Sequence, residues 1–333
     1  MIVAGAGIIG LSCAWRLAQK GVKVRVFDCG QASREASWAG AGMLAPGGEL
    51  TEASPLTRMA LDSLRQYPDF VAELQELSGL LIDYQRCGAI EPAFTEAEAV
   101  ALESRALSQT DVGIRSEPMR YKHSVSARFY PDDQLVAPRE VTNALRIACL
   151  REGVVIHENE TVTEVIQDGS GVRTNRGDYA DDSVLIAAGA WSSSLLSGLR
   201  PGLPMAMPVR GHLISYRPER PLIGSILRHG HTYLLQRRDT ELIAGSSTEY
   251  VGFDRAIDEQ TVSNIHSRAA QLLPDLASLT PADRWNGFRP GIDGGIPVVG
   301  RIGGTNIWTA YGHYRNGILL APETARMIAE SVN

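Results

Sequence analysis

Met1-Ile2-Val3-Ala4-Gly5-Ala6-Gly7-Ile8-Ile9-Gly10 opens the chain, and this apolar run with glycines at 5, 7 and 10 decides the fold. Met1–Ala4 predicts a short strand. Leu11, Trp15 and Ala18 recur at helical spacing up to Gly21, which predicts a helix starting in the glycine run. Val22, Val24 and Val26 alternate with Lys23 and Arg25 and predict a second strand ending at Phe27-Asp28. Strand, Gly-x-Gly-x-x-Gly turn, helix and strand within residues 1–28 make a dinucleotide-binding unit. Gly5 permits the tight turn, Gly7 lets a pyrophosphate approach bare backbone, and Gly10 lets the helix pack close to the strand. The helix N-terminus offers free N–H groups and the positive end of its dipole. Asp28 is placed to accept hydrogen bonds from an adenosine ribose. The spacing does not distinguish NAD from FAD.

The rest of the chain suits such a unit. Its 333 residues are 44% hydrophobic and 21% charged, enough to bury a sizeable core, with room for about two domains. Lysine and arginine total 32 against 38 acids, a net charge of −6, and no long stretch is strongly basic. Nucleic acid is therefore not an expected partner. The longest apolar runs, such as Val184–Ala190, are too short to span a bilayer, and no membrane association is expected. No charged segment leads into a cleavable apolar one, so no secretory signal is expected. Cys13, Cys29, Cys87 and Cys149 form no CxxC, which argues against a zinc site or disulfide scaffold and fits a reducing cytoplasm. A homo-oligomer is left open.

Ser54-Pro55 predicts a helix start, with Leu56, Met59, Ala60 and Leu64 as its apolar stripe. Pro68 is expected to break or kink it before Gly79. Further helices are expected over Glu96–Ser108, Arg139–Arg151, Asp258–Leu273 and Gly317–Val332. Strands are expected over Cys87–Phe94, Val154–Ile156, Val162–Ile166, Gly171–Thr174, Asp182–Gly189, Gly211–Tyr216, His231–Gln236, Leu242–Ser246 and Asn306–Ala310. The α/β parts lie at the start, middle and end. This predicts a nucleotide-binding domain discontinuous in sequence, over 1–79, 138–205 and 287–333. A β-rich second domain is expected over 80–137 and 206–286.

The 33 glycines cluster at Gly5–Gly10, Gly40–Gly48, Gly287–Gly304 and Gly312–Gly317. Clustered glycine marks backbone in close or unusual conformations, often against a ligand. Ser37-Trp38-Ala39-Gly40-Ala41-Gly42-Met43-Leu44 is small and nearly uncharged, fit either for a flat ring or for packing as a buried loop. Trp285–Gly291 and Tyr311–Pro322 each place one arginine, Arg289 and Arg315, among residues suited to tight backbone. A buried guanidinium there needs an acidic partner or a ligand, and its fork fits a carboxylate. His229-Gly230-His231 is a poor metal motif, and no metal is expected. GxSxG, HExxH and Walker motifs are missing, so hydrolase and nucleoside triphosphatase readings have no support.

Gly5–Gly10, Ala41-Gly42-Met43-Leu44-Ala45, Leu185–Ser192 and Gly312–Pro322 together resemble the D-amino-acid oxidase superfamily of FAD-dependent oxidoreductases, on its glycine oxidase branch in thiamine biosynthesis. Trp285–Pro290 and Gly245-Ser246-Ser247-Thr248-Glu249 followed by Val251-Gly252-Phe253-Asp254 add to the likeness, which covers nearly the whole chain. It implies an α/β fold: a discontinuous Rossmann-like FAD-binding domain with an inserted α+β substrate domain on an antiparallel sheet. It implies non-covalent FAD, since no Cys lies in Trp285–Pro290 or Tyr311–Pro322.

By the same resemblance, Gly5, Gly7, Ile8, Ile9, Gly10, Asp28 and Cys29 would hold the adenosine end, with Val162 on the adenine side. Ser37, Ala41, Gly42, Met43 and Gly189 would lie along the cofactor. Gly312, His313, Tyr314, Arg315, Asn316, Gly317, Ile318 and Leu319 would wrap the isoalloxazine, with the last helix's N-terminus at its electron-rich edge. Arg289 and Tyr233 would hold the substrate carboxylate, and Arg315 would stand at the mouth. Three positions depart from the family: Ala36 replaces a threonine near the phosphates, Trp38 a small residue, and Thr248 a methionine that can line the pocket. The last two bear on side-chain range.

The implied reaction is oxidative deamination of glycine, with sarcosine and small D-amino acids as neighbouring substrates. Hydride would pass to flavin N5. The products would be glyoxylate or another 2-oxo acid, ammonia and, with dioxygen as acceptor, hydrogen peroxide, feeding thiamine thiazole synthesis. The motifs offer no general base near Arg289. A D-amino-acid or N-methyl-amino-acid dehydrogenase using a quinone or carrier is the alternative. A non-enzymatic dinucleotide-binding sensor is the remote one.

Overall fold

The N-terminal strand Ile2–Ala4 pairs in parallel with Arg25–Phe27 on one side and Val184–Ile186 on the other. Val155–His157 extends the sheet beyond Arg25–Phe27, and Ile307–Tyr311 extends it beyond Val184–Ile186, both in parallel. Val298–Arg301 closes that edge antiparallel, giving six strands drawn from the start, middle and end of the chain. The structure is a computed structural model that describes all residues except Glu49, Gly198, Arg200, Pro201 and Asn333. Residue 333, the end of the third expected nucleotide-binding segment, thus lies outside the described residues.

Alternation along these short strands feeds two cores. Val3, Val26 and Leu185 face the helices Ile8–Gln19, Pro55–Ser78, Pro138–Arg151 and Gly317–Ser331, among Trp15, Tyr67, Phe70, Leu145 and Leu320. Ile2, Ala4, Phe27, Val184 and Ile186 face the other way, toward Val165 and Val172 of the three-stranded sheet Val162–Val165, Gly171–Thr174 and Asp178–Ala180.

A second, eight-stranded sheet carries the other functional segments. Its order is Asp283–Ile292, Ala206–Tyr216, Leu242–Gly245, Thr232–Gln236, Ile226–His229, Ala89–Ala93, Ser126–Tyr130 and Glu117–Met119. All neighbours run antiparallel except Ile226–His229 beside Ala89–Ala93. The helix Glu259–Leu272 covers one face, setting Val262, Ile265 and Ala269 on Ile214, Leu234 and Ala244. Fold class thus agrees with the sequence reading.

Local signals act as anticipated in the long helix. The Ser54 hydroxyl accepts the Thr57 N–H at 3.1 Å, Pro55 takes the first position, and Gly79 ends the helix at φ +74°. Pro68, however, does not break it: Pro55–Ser78 is one helix. Leu64, Tyr67, Phe70, Val71 and Leu74 are buried around Pro68, and that packing offsets its missing donor. A second difference concerns residues 287–292. They continue the strand Asp283–Ile292, paired with Ala206–Ser215, so Arg289 lies in the antiparallel sheet rather than with the parallel one.

His229 pairs with Glu98 at 3.2 Å, and the four cysteines are free thiols. Among the described residues, no group of three His, Cys, Asp or Glu could hold a metal. No described helix is long and apolar enough to cross a membrane.

Candidate active site

One elongated cavity runs from the first βα turn to the face of the antiparallel sheet. At the turn, Gly5 has φ +110°, and a Cβ there would overlap the Ala187 carbonyl. A Cβ on Gly10 would overlap the Gly5 carbonyl, so the helix can lie this close only without one. Gly7 stands at the helix N-cap. The Ser37 hydroxyl accepts the Ile8 N–H at 2.9 Å and sits 3.3 Å from where a Gly7 Cβ would be. Asp28 accepts Ala6 N–H at 2.7 Å and Gly30 N–H at 3.0 Å, and both oxygens keep a further lone pair. Burial pushes the Asp28 carboxyl up and Glu35 and Glu158 add to this, against the two N–H groups, so it sits above its ordinary range. A bare turn at a helix N-terminus beside a carboxylate fits the adenosine and pyrophosphate of a dinucleotide.

The middle and far end come from separate segments. Ser37, Ala41, Gly42, Met43 and Gly189 line the middle, and Val162 also lines the cavity. The Ser37–Met43 stretch thus faces the cavity except Trp38, which stacks on Arg139 at 3.7 Å, while Leu44 turns into the core. Gly312–Ile318 lines the far end with the N-terminus of Gly317–Ser331. Gly312 has φ +80° and Tyr314 φ +47°, a tight path that brings the backbone to the cavity. His313 is buried, its Nε2 is 3.0 Å from Thr324 Oγ1, and burial pushes its imidazole down to about 3. It is therefore neutral across the working pH range.

Arg289, Tyr233 and Arg315 all line this end. Arg289 donates from Nη2 to Ser246 Oγ at 2.9 Å and from Nη1 to the Ser247 carbonyl at 3.0 Å. Among the described residues, no carboxylate lies within 4 Å of it. Its guanidinium rests over Gly211, where a Cβ would overlap it, and the Tyr233 ring rests over Gly245 in the same way. Asp28 and Glu35 are the only carboxylates among the described lining residues, and both belong to the nucleotide end. A carboxylate ligand at Arg289 thus meets a cation held by the neutral acceptors Ser246 Oγ and the Ser247 carbonyl.

The cavity brings together all expected site residues but two. Gly10 packs beneath the turn, and Leu319 is buried in the helical core; neither lines the cavity. Ala36 does line it, whereas Thr248 is exposed and outside it. Gly211, Ser246 and Ser247 escaped the sequence reading. The group behind them, buried Arg210 and His212 with half-buried Glu249, was likewise not assigned to the site, although Ser246, Ser247 and Glu249 stand in a stretch that carries the resemblance. Burial pushes the Glu249 carboxyl up, but hydrogen bonds from Ser247, Arg210 and His212 outweigh it and hold the group below its usual range.

Comparison with known proteins adds to this geometry. The FAD dependent oxidoreductase (DAO) family matches residues 1–331. A glycine oxidase from Pseudomonas aeruginosa is 32% identical over 99% of this chain and 93% of its own. The bifunctional protein ThiO/ThiG of Synechocystis is 34% identical over 100% of this chain, which spans 51% of that protein. The crystal structure of glycine oxidase from Geobacillus kaustophilus superposes with a TM-score of 0.95 at 30% identity, covering 99% of this chain and 93% of that one.

Proposed function

This chain belongs to the DAO family of FAD-dependent oxidoreductases, and from that premise we propose that it oxidatively deaminates glycine. One observation carries the choice of substrate class: Arg289 presents a guanidinium to the cavity with only Ser246 Oγ and the Ser247 carbonyl as its acceptors among the described residues. That guanidinium binds the substrate carboxylate in a fork, and the Tyr233 hydroxyl supplies a further hydrogen bond. Two-point anchoring of a small amino acid fixes the direction of its α-C–H bond. Rate then comes from positioning rather than from a side-chain base, in keeping with the neutral acceptors of Arg289 and the absence of any carboxylate within 4 Å of it among the described residues.

FAD, when bound, supplies the two-electron acceptor for that C–H bond. Gly5, Gly7, Ile8, Ile9, Asp28, Cys29 and Val162 would hold its adenosine and pyrophosphate. Ser37, Ala41, Gly42 and Met43, with Gly189, would flank its middle. Gly312–Ile318 would meet the ring, where the N-terminus of Gly317–Ser331 favours negative charge. The lack of a cysteine among the described lining residues of that end supports non-covalent binding. Arg315, at the same end, attracts the incoming carboxylate.

The products are glyoxylate and ammonia, with hydrogen peroxide when dioxygen accepts the electrons. Sarcosine and small D-amino acids are the neighbouring substrates. A supply of oxidised glycine to thiamine thiazole synthesis is the cytoplasmic role that the resemblance supports. The test is an absorption spectrum of the purified protein before and after anaerobic glycine. Bleaching of yellow flavin bands is expected, and their return with peroxide on readmitting air distinguishes an oxidase from a dehydrogenase. A flavin that glycine leaves oxidised would overturn the substrate assignment.

A further inference from the structure

Ser247 stands between Arg289 and a buried charge cluster. Its carbonyl accepts Arg289 Nη1 at 3.0 Å. Its hydroxyl accepts the His212 backbone N–H at 2.8 Å and donates to Glu249 Oε1. The same carboxylate oxygen lies 2.8 Å from His212 Nδ1. His212 Nε2 accepts the backbone N–H of Asp258 at 3.2 Å. A peptide N–H can only donate, so the ring proton sits on Nδ1 and points at Glu249. Glu249 Oε2 takes the Arg210 fork, at 2.6 Å from Nη2 and 3.0 Å from Nε, and Arg210 Nη1 continues to Asp254 Oδ2 at 2.7 Å. His212 is 0% and Arg210 5% exposed, so removing one member strands buried polar atoms, at a greater cost than the bond's own net gain.

This arrangement separates charge from position. Arg210 neutralises Glu249, and Glu249 reaches Arg289 only through the neutral Ser247. A carboxylate placed directly on Arg289 would compete with the substrate's. Held one residue away, it orients the Ser247 carbonyl and leaves the Arg289 charge free for a ligand.

We propose that Glu249 is the positioning residue of the Arg289 clamp, acting through Ser247 with His212 as its orienting partner. This rests on the reading of Arg289 as the holder of the substrate carboxylate.

The test uses the FAD-loaded protein and two readouts: the dissociation constant of acetate, from its perturbation of the oxidised flavin spectrum, and steady-state kinetics with glycine. Glu249→Ala and Ser247→Ala are expected to weaken acetate binding and raise KM together, by about tenfold, with kcat within about threefold. Glu249→Gln keeps an acceptor for the Ser247 hydroxyl and His212 Nδ1, and is expected to recover most of that loss. Ser247→Ala carries the test alone should Glu249→Ala fail to fold. Acetate binding unchanged in Ser247→Ala while Arg289→Ala weakens it would overturn the proposal and leave the clamp standing. A fall in kcat with KM unmoved, or Glu249→Gln as impaired as Glu249→Ala, would overturn it as well. Acetate binding unchanged in Arg289→Ala itself would remove the clamp reading and the proposal with it.

Discussion

Gly211→Ala separates the clamp from the scaffold. A Cβ at this position lies 2.5 Å from Arg289 Cζ. Ordinary contacts between carbon atoms are about 3.5–4.0 Å, so the guanidinium must retreat by roughly 1 Å. Its hydrogen bonds to Ser246 Oγ and the Ser247 carbonyl, now 2.9 and 3.0 Å, then stretch beyond the usual limit of about 3.2 Å. The displaced atoms end a flexible side chain, so the backbone register of Gly211 with Gly287 survives. A charge-assisted hydrogen bond contributes roughly 1.5–3 kcal/mol. The dissociation constant of glycine should therefore rise by roughly 10- to 100-fold. Saturation of the anaerobic bleaching rate with glycine measures that constant, and thermal melts of the same protein should show a nearly unchanged midpoint. Glycine affinity within about twofold of the unsubstituted protein, in a sample retaining its flavin, would refute the placement of Arg289 over Gly211 as the working clamp.

Other perturbations address the rest of the cavity. Arg289→Ala should raise KM for glycine at least about tenfold, read from steady-state kinetics; an unchanged KM removes Arg289 from the site. Gly10→Ala drives a Cβ into the Gly5 carbonyl, so the turn opens and the protein should purify with well under one FAD per chain; a full complement at an unchanged melting temperature contradicts this close packing. For His313, burial lowers the folded imidazole from 6.5 to about 3, so between those values the unfolded chain binds a proton that the folded chain does not. Stability is thus lost as pH falls through that window, by about 1.5 kcal/mol between pH 6.5 and 5. Urea unfolding of His313→Gln over the same range should be flatter by that amount, and equal slopes would mean that His313 is not buried in the neutral form.

Sequence legibility followed locality. The first βα unit, the Ser54-Pro55 start and the Gly79 stop rest on neighbouring residues, and the structure places them within a few positions of expectation. The strands Ser126–Tyr130 and Ile226–His229 were missed, because what makes them strands is pairing with Ala89–Ala93, distant in sequence. Asp283–Ile292 was hidden differently. Gly287, Pro290 and Gly291 look hostile to a strand, but this strand is at the sheet edge, where proline is tolerated and a missing Cβ allows close approach. Arg289 was legible as a cation in tight backbone. What holds it was not: Gly211, Ser246 and Ser247 meet it only through sheet register and the turn after Leu242–Gly245, and His212 and Glu249 stand behind Ser247.

The parallel sheet also has a consequence for biosynthesis. Its strands leave the ribosome in the order Ile2–Ala4, Arg25–Phe27, Val155–His157, Val184–Ile186 and Ile307–Tyr311, yet Ile307–Tyr311 pairs directly with Val184–Ile186. The helix covering Ile8–Gln19 is Gly317–Ser331, also made late. The glycine turn that emerges first therefore waits, half covered, until residues 307–331 have cleared the exit tunnel. Val3, Leu11 and Trp15, fully buried in the finished core, therefore stay incompletely covered while the rest of the chain is made.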